Sequence, residues 1–90
     1  MKLIKSQNRL SVINSQYIYH IDIDEEVDNK GRITGNMDID VYYDYHENSL
    51  MKTIATYSTE EECIRNFEKL VDFLGSDSNS GVFEMPQGVF

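Results

Sequence analysis

Tyr17-Ile18-Tyr19-His20-Ile21-Asp22-Ile23-Asp24 and Met37-Asp38-Ile39-Asp40-Val41-Tyr42-Tyr43-Asp44-Tyr45 are the two stretches on which the fold turns. In the first, Tyr17, Tyr19, Ile21 and Ile23 share one parity, and Ile18, His20, Asp22 and Asp24 share the other. In the second, Met37, Ile39, Val41, Tyr43 and Tyr45 alternate with Asp38, Asp40, Tyr42 and Asp44. Successive side chains of a strand point to opposite faces, so each stretch predicts a strand with an apolar face and an acidic one. Asn29-Lys30-Gly31 between them predicts a tight turn with Gly31 at positive φ. An antiparallel hairpin about that turn sets Ile23 against Ile39, Ile21 against Val41, Tyr19 against Tyr43 and Tyr17 against Tyr45. Every pair on that face is apolar or aromatic, which selects the register. The same register sets Asp24 against Asp38, Asp22 against Asp40 and His20 against Tyr42 on the other face.

Outward from the hairpin, Leu3-Ile4 reads as extended, Ser6 to Arg9 as a turn, Leu10 to Ile13 as extended and Asn14-Ser15-Gln16 as a second turn. After a turn at His46 to Ser49, Leu50 to Tyr57 reads as a strand with Met51, Ile54, Ala55 and Tyr57 available for burial. Ser58-Thr59-Glu60-Glu61 is a capping box, and Glu60 to Glu62 place negative charge at the positive end of a helix dipole. Cys63, Ile64, Phe67, Leu70, Val71 and Leu74 then form the stripe of a helix buried on one side, with Gly75 as its stop. Val82 to Met85 is a short extended piece closed by Pro86, and Phe90 ends the chain with an aromatic. The expected fold is α+β in one domain over residues 1–90. It comprises a meander of four to five antiparallel strands, a long C-terminal helix (Thr59 to Leu74) on the apolar face, and a C-terminal edge segment.

Ninety residues suit one core, which buries roughly 60–65 % of the unfolded surface. The single Cys63 excludes an intramolecular disulfide and suits a reducing compartment. Met1 to Leu10 lacks the apolar core of a secretory signal, and no apolar run is long enough to span a bilayer, so the expected location is the cytoplasm. Sixteen acidic side chains against eight basic ones leave a net charge of −8. That argues against direct contact with nucleic acid or an anionic membrane, and it suits a basic protein partner.

No Gly-rich phosphate loop, Ser/His/Asp order or Cys/His zinc spacing occurs, so neither an enzyme nor a cofactor is expected. His20 and His46 lie too far apart for a local metal motif, and Cys63 on the helix stripe reads as a buried, inert thiol. Tyr17, Tyr19, Tyr43 and Tyr45 read as core packing under the helix. The cross-strand aspartates ask for a reason, because like charges directly opposite one another destabilise a sheet by roughly 0.2–1 kcal/mol per pair. Three readings compete: a solvated face, a docking surface for a basic partner formed by Asp22, Asp24, Asp38, Asp40, Tyr42 and Asp44, and a cation site. For the last, Val27 stands where an EF-hand loop needs Gly, so that match fails.

Lys2-Leu3-Ile4-Lys5-Ser6-Gln7-Asn8, Tyr57-Ser58-Thr59-Glu60-Glu61 and Phe83-Glu84-Met85-Pro86 together carry a resemblance. The chain resembles a family of small proteins of Gram-positive bacteria and their phages. Those begin with a Lys-Ile-Ile-Ser-Gln-like strand and turn, enter a helix at Tyr-Ser-Thr-Glu-Glu and end in a Met-Pro tail. The resemblance implies a phage or mobile-element setting and carries no activity with it. Acidic strand faces that imitate nucleic-acid charge are a strategy of phage inhibitors of host nucleases, anti-CRISPR proteins among them. Three functions are therefore expected candidates: a phage-encoded inhibitor or modulator of a basic host protein, a homo-oligomeric (dimeric or larger) assembly accessory, and a protein sequestering a small ligand such as a nucleotide signal. For the last, Lys2, Lys5, Arg9, Lys30, Arg32 and Lys52 are the cations available.

Overall fold

Three hairpins and one parallel pairing build the molecule, whose computed structural model describes residues 1–78 and 80–88. The terminal aromatic Phe90 lies outside the described residues. The elements run β1 (Lys2–Lys5), β2 (Val12–Asn14), a 3-10 turn (Ser15–Tyr17), β3 (Ile18–Val27), β4 (Ile33–Tyr45), β5 (Asn48–Tyr57), α1 (Glu60–Leu74) and β6 (Gly81–Glu84).

The expected single sheet of four to five strands is instead two sheets of three, ordered β2-β1-β6 and β3-β4-β5. The second is the meander. In the first, β2 returns antiparallel to β1 while β6 pairs parallel to it, Ile4 opposite Phe83. The helix is correspondingly mid-chain: after it, β6 lies along the free edge of β1. Parallel pairing joins segments distant in sequence and leaves no local signature, so nothing in the residue pattern announces it.

The helix begins one residue later than the capping box suggests. Thr59 is the N-cap and its hydroxyl accepts from Glu62 N at 3.2 Å. Gly75 caps the end as expected, but in the right-handed region, with φ −87° and its N–H on Phe73 O and Val71 O. The buried side is narrower than the predicted stripe. Cys63 and Leu70 are fully buried, while Ile64 and Val71 are 39 % and 47 % exposed.

Ile4 and Met85 from the first sheet side, Ile39, Val41, Ile54, Ala55 and Tyr57 from the second, and Cys63 and Leu70 from the helix make one core. Fully burying a side chain of this size contributes roughly 1.5–3 kcal/mol each. Gln7 ties the two sheets together at their border. Its N–H donates to Ile54 O at 2.8 Å, its Oε1 accepts from Thr56 N at 2.9 Å, and its Nε2 donates to Pro86 O at 3.2 Å. The free edge of β5 is thereby covered at Ile54 and Thr56.

The β4–β5 turn consists of His46 and Glu47, between the paired Tyr45 and Asn48. Both have positive φ, 47° and 68°. A two-residue turn of this hand favours Asn-Gly, since other L-residues incur a left-handed penalty of roughly 1–2 kcal/mol. Glu47→Gly is accordingly expected to stabilise the fold by about 1 kcal/mol, read as a rise in the urea midpoint at unchanged m-value.

The acidic outer face as candidate functional site

The core of the predicted register is present in the β3–β4 pair. Ile23 faces Ile39, Ile21 faces Val41, Asp24 faces Asp38, Asp22 faces Asp40 and His20 faces Tyr42. The register then shifts between Ile18 and His20, and Ile18, not Tyr19, sits opposite Tyr43. A bulge adds one residue to a strand and exchanges the faces of everything beyond it. The expected Tyr19–Tyr43 and Tyr17–Tyr45 pairs therefore do not form. Ile18 packs against the core, Tyr17 falls in the 3-10 turn, and Tyr19 leaves the apolar face.

The β3–β4 register shifts again between Glu25 and Val27, and a further bulge lies in β5. Asp38 pairs with Thr56 and Ile39 with Ala55, but Asp40 pairs with Thr53, so Ile54 is the extra residue. Thr53 and Thr56, three apart, thus reach the same face. Across the three strands the outer face reads Asp24–Asp38–Thr56, Asp22–Asp40–Thr53 and His20–Tyr42–Met51, with Asp44–Ser49 beyond.

The two threonines hold the two central carboxylates. Thr56 Oγ1 donates to Asp38 Oδ1 and Thr53 Oγ1 to Asp40 Oδ1, each at 2.6 Å. Both carboxyls lie above their ordinary range. Burial is the main cause for each, the threonine bonds oppose it, and the neighbouring carboxylates add to it: Asp40, Glu26 and Asp24 for Asp38, and Asp22 and Asp24 for Asp40. His20 Nε2 lies 3.1 Å from Asp22 Oδ2, while Asp22 Oδ1 is buried with no hydrogen-bond partner. Below the aspartate block Glu26 accepts from Thr34 Oγ1 at 2.8 Å and Asn36 Nδ2 at 3.2 Å.

The face is not uniformly accessible. Asp24 and Asp44 are exposed, Asp22, Asp38 and Tyr42 are partly buried, and Asp40 is only 5 % exposed. Tyr42 stands among the acids as the alternation predicts, and its phenol is raised above its usual range by burial and by Asp22, Asp40 and Asp24. Its ring lies 5.2 Å from that of His20 and 6.5 Å from that of Tyr19, whose hydroxyl hydrogen-bonds Ser49. Tyr19, Thr53 and Thr56 are the members of the face that sequence reasoning missed. Only the bulges bring all three there, and the residue pattern gave no sign of either bulge.

Among the described residues no group of three or more His, Cys, Asp or Glu side chains is arranged to hold a metal ion, and no helix is long and apolar enough to cross a membrane. The six cations named above do not gather at one place. Lys2 is held by Leu74 O and Ser76 O, Lys5 and Arg9 lie near Glu84, and Arg32 pairs with Asp28.

Cys63 is fully buried, and burial, with Asp38, Asp40, Glu60 and Glu62 nearby, pushes its thiol up to about 11. The thiolate is the reactive form, so iodoacetamide at pH 8 is expected to label the native protein at least ~10³-fold more slowly than the unfolded chain. Comparable labelling rates with and without denaturant contradict the burial.

No protein-family model, curated protein or solved structure matches the chain.

Proposed function

We propose that the protein is a non-enzymatic binding protein of phage or mobile-element origin that docks its acidic sheet face on a basic host protein. A nucleic-acid-binding effector of a defence system, such as a CRISPR effector, is the kind of target it suits. The observation that carries the reading is the pair of cross-strand contacts Asp24–Asp38 and Asp22–Asp40 on a face the helix does not cover. Residues two apart on a strand lie roughly 6.7 Å apart and neighbouring strands about 4.8 Å, so the four carboxylates form a small negative grid. A face selected for folding alone would hold threonine or other β-formers there. The carboxylates oppose folding where they stand, and a positively charged surface is what would offset that. Tyr42 and Tyr19 supply amphipathic rings among the acids, the residue type that anchors interfaces. The genetic setting rests on the resemblance at the two ends of the chain and at the helix start.

The test is a pull-down from a Gram-positive host lysate at low and moderate salt. Wild type is compared with an Asp24→Asn/Asp44→Asn variant, which alters only exposed carboxylates and leaves the threonine-held pair intact. A basic nucleic-acid-binding protein retained by wild type, released by salt and lost with the variant is the expected result. Equal retention by both sinks the reading and returns the face to a solubility role.

A further inference from the structure

The bulge at Ile54 has a second consequence, on the opposite side of the sheet. It turns Lys52 to the core face, opposite the fully buried Val41, where a strand built for packing alone would carry an apolar residue. Four basic side chains are half-buried: Lys2, Lys5, Arg9 and Lys52. The first three have partners in backbone carbonyls or Glu84. The Lys52 ammonium has no ion pair or hydrogen bond among the described residues, in a chain with twice as many acids as bases.

Lys52 lines a cavity of about 320 Å³ whose other walls include Val12, Ile13, Tyr17, Tyr43 and Tyr45. It lies where β2 and the 3-10 turn pass the far end of the apolar sheet face. Val12, Tyr17 and Tyr45 are 56 %, 55 % and 59 % exposed, although their types favour burial. The volume falls at the lower end of ligand pockets, enough for one or two fused rings. Three tyrosines offer ring faces and edges to a flat aromatic body. The partnerless ammonium calls for an anionic group, and Asp44, which also lines the cavity, disfavours a second negative charge.

We propose that this cavity binds a small, flat aromatic molecule bearing a single carboxylate, its rings among Tyr17, Tyr43 and Tyr45 and its carboxylate paired with Lys52. The cavity borders the acidic face at Asp44, but none of the four paired aspartates lines it, and its NMR test stands or falls without the docking reading.

The experiment is an NMR titration of the full chain with indole-3-acetate and with its neutral isostere indole-3-acetamide. Saturable shifts at Val12, Ile13, Tyr17, Tyr43, Tyr45 and Lys52 are expected, with the acid binding at least about tenfold more tightly than the amide. Lys52→Met keeps the apolar stem and is expected to reduce the acid to the affinity of the amide. If that variant disturbs the fold, the acid–amide comparison in wild type decides by itself. Equal affinities in wild type, shifts confined to other surfaces, or no saturable shift with either probe overturns the proposal.

Discussion

An Asp38→Asn/Asp40→Asn variant is expected to be more stable than wild type by about 1–2 kcal/mol, with Tm higher by roughly 5–10 °C. Both substitutions preserve shape and leave an amide oxygen to accept from Thr56 and Thr53. They remove both cross-strand charge pairs and the burial of two charged groups. At position 40 the new amide also supplies a donor on the strand opposite Asp22, whose Oδ1 has none. The pH dependence fixes the sign. Both carboxyls lie above the ordinary aspartate value of 3.8 in the folded protein, so each favours folding below that value and loses this contribution as pH rises through its raised folded-state value. The variant lacks both groups. Its advantage is therefore largest at neutral pH and shrinks toward zero on acidification to about pH 4. Urea denaturation of both proteins at pH 7 and pH 4 measures this, and an advantage that grew at low pH would falsify the assignment. A more stable variant with weaker partner binding is the pattern of a surface kept for recognition at some loss of stability.

Tyr57→Ala is expected to cost about 3–5 kcal/mol, enough to leave a domain of ordinary stability barely folded. Tyr57 is 1 % exposed and the largest fully buried side chain. It stands at the end of β5 against Met37, and its hydroxyl donates to Pro86 O at 2.8 Å, tying the segment after β6 to the second sheet. Tyr57→Phe separates the two contributions. It keeps the ring and removes the hydroxyl, and Pro86 O still accepts from Gln7 Nε2. The expected loss is then only about 1 kcal/mol. Urea midpoints of the three proteins test this, and a Phe variant as damaged as the Ala variant would mean that the hydrogen bond, rather than the packing, holds the junction.

The residue pattern determined each element whose information is local. Alternation from Ile21 to Asp24 and from Met37 to Tyr42 specified two strands, their faces and their register, because a slip of one residue would turn every isoleucine to water. The acidic grid was therefore legible in the sequence. The helix was legible for the same reason: its cap, its acidic first turn and the spacing of Cys63, Phe67 and Leu70 all lie within one segment. Three features were decided only by tertiary structure. The bulges at Tyr19 and Ile54 depend on how β3 and β5 fit the ends of a thirteen-residue β4, and they alone bring Tyr19 and Thr53 to the acidic face and Lys52 to the apolar one. The third strand of the first sheet depends on β6 returning to β1, a pairing of Lys2–Lys5 with Gly81–Glu84 that no short stretch encodes. The burial of Asp40 depends on lying in the central strand between Asp22 and Thr53, because exposure belongs to the neighbours a side chain acquires rather than to its type.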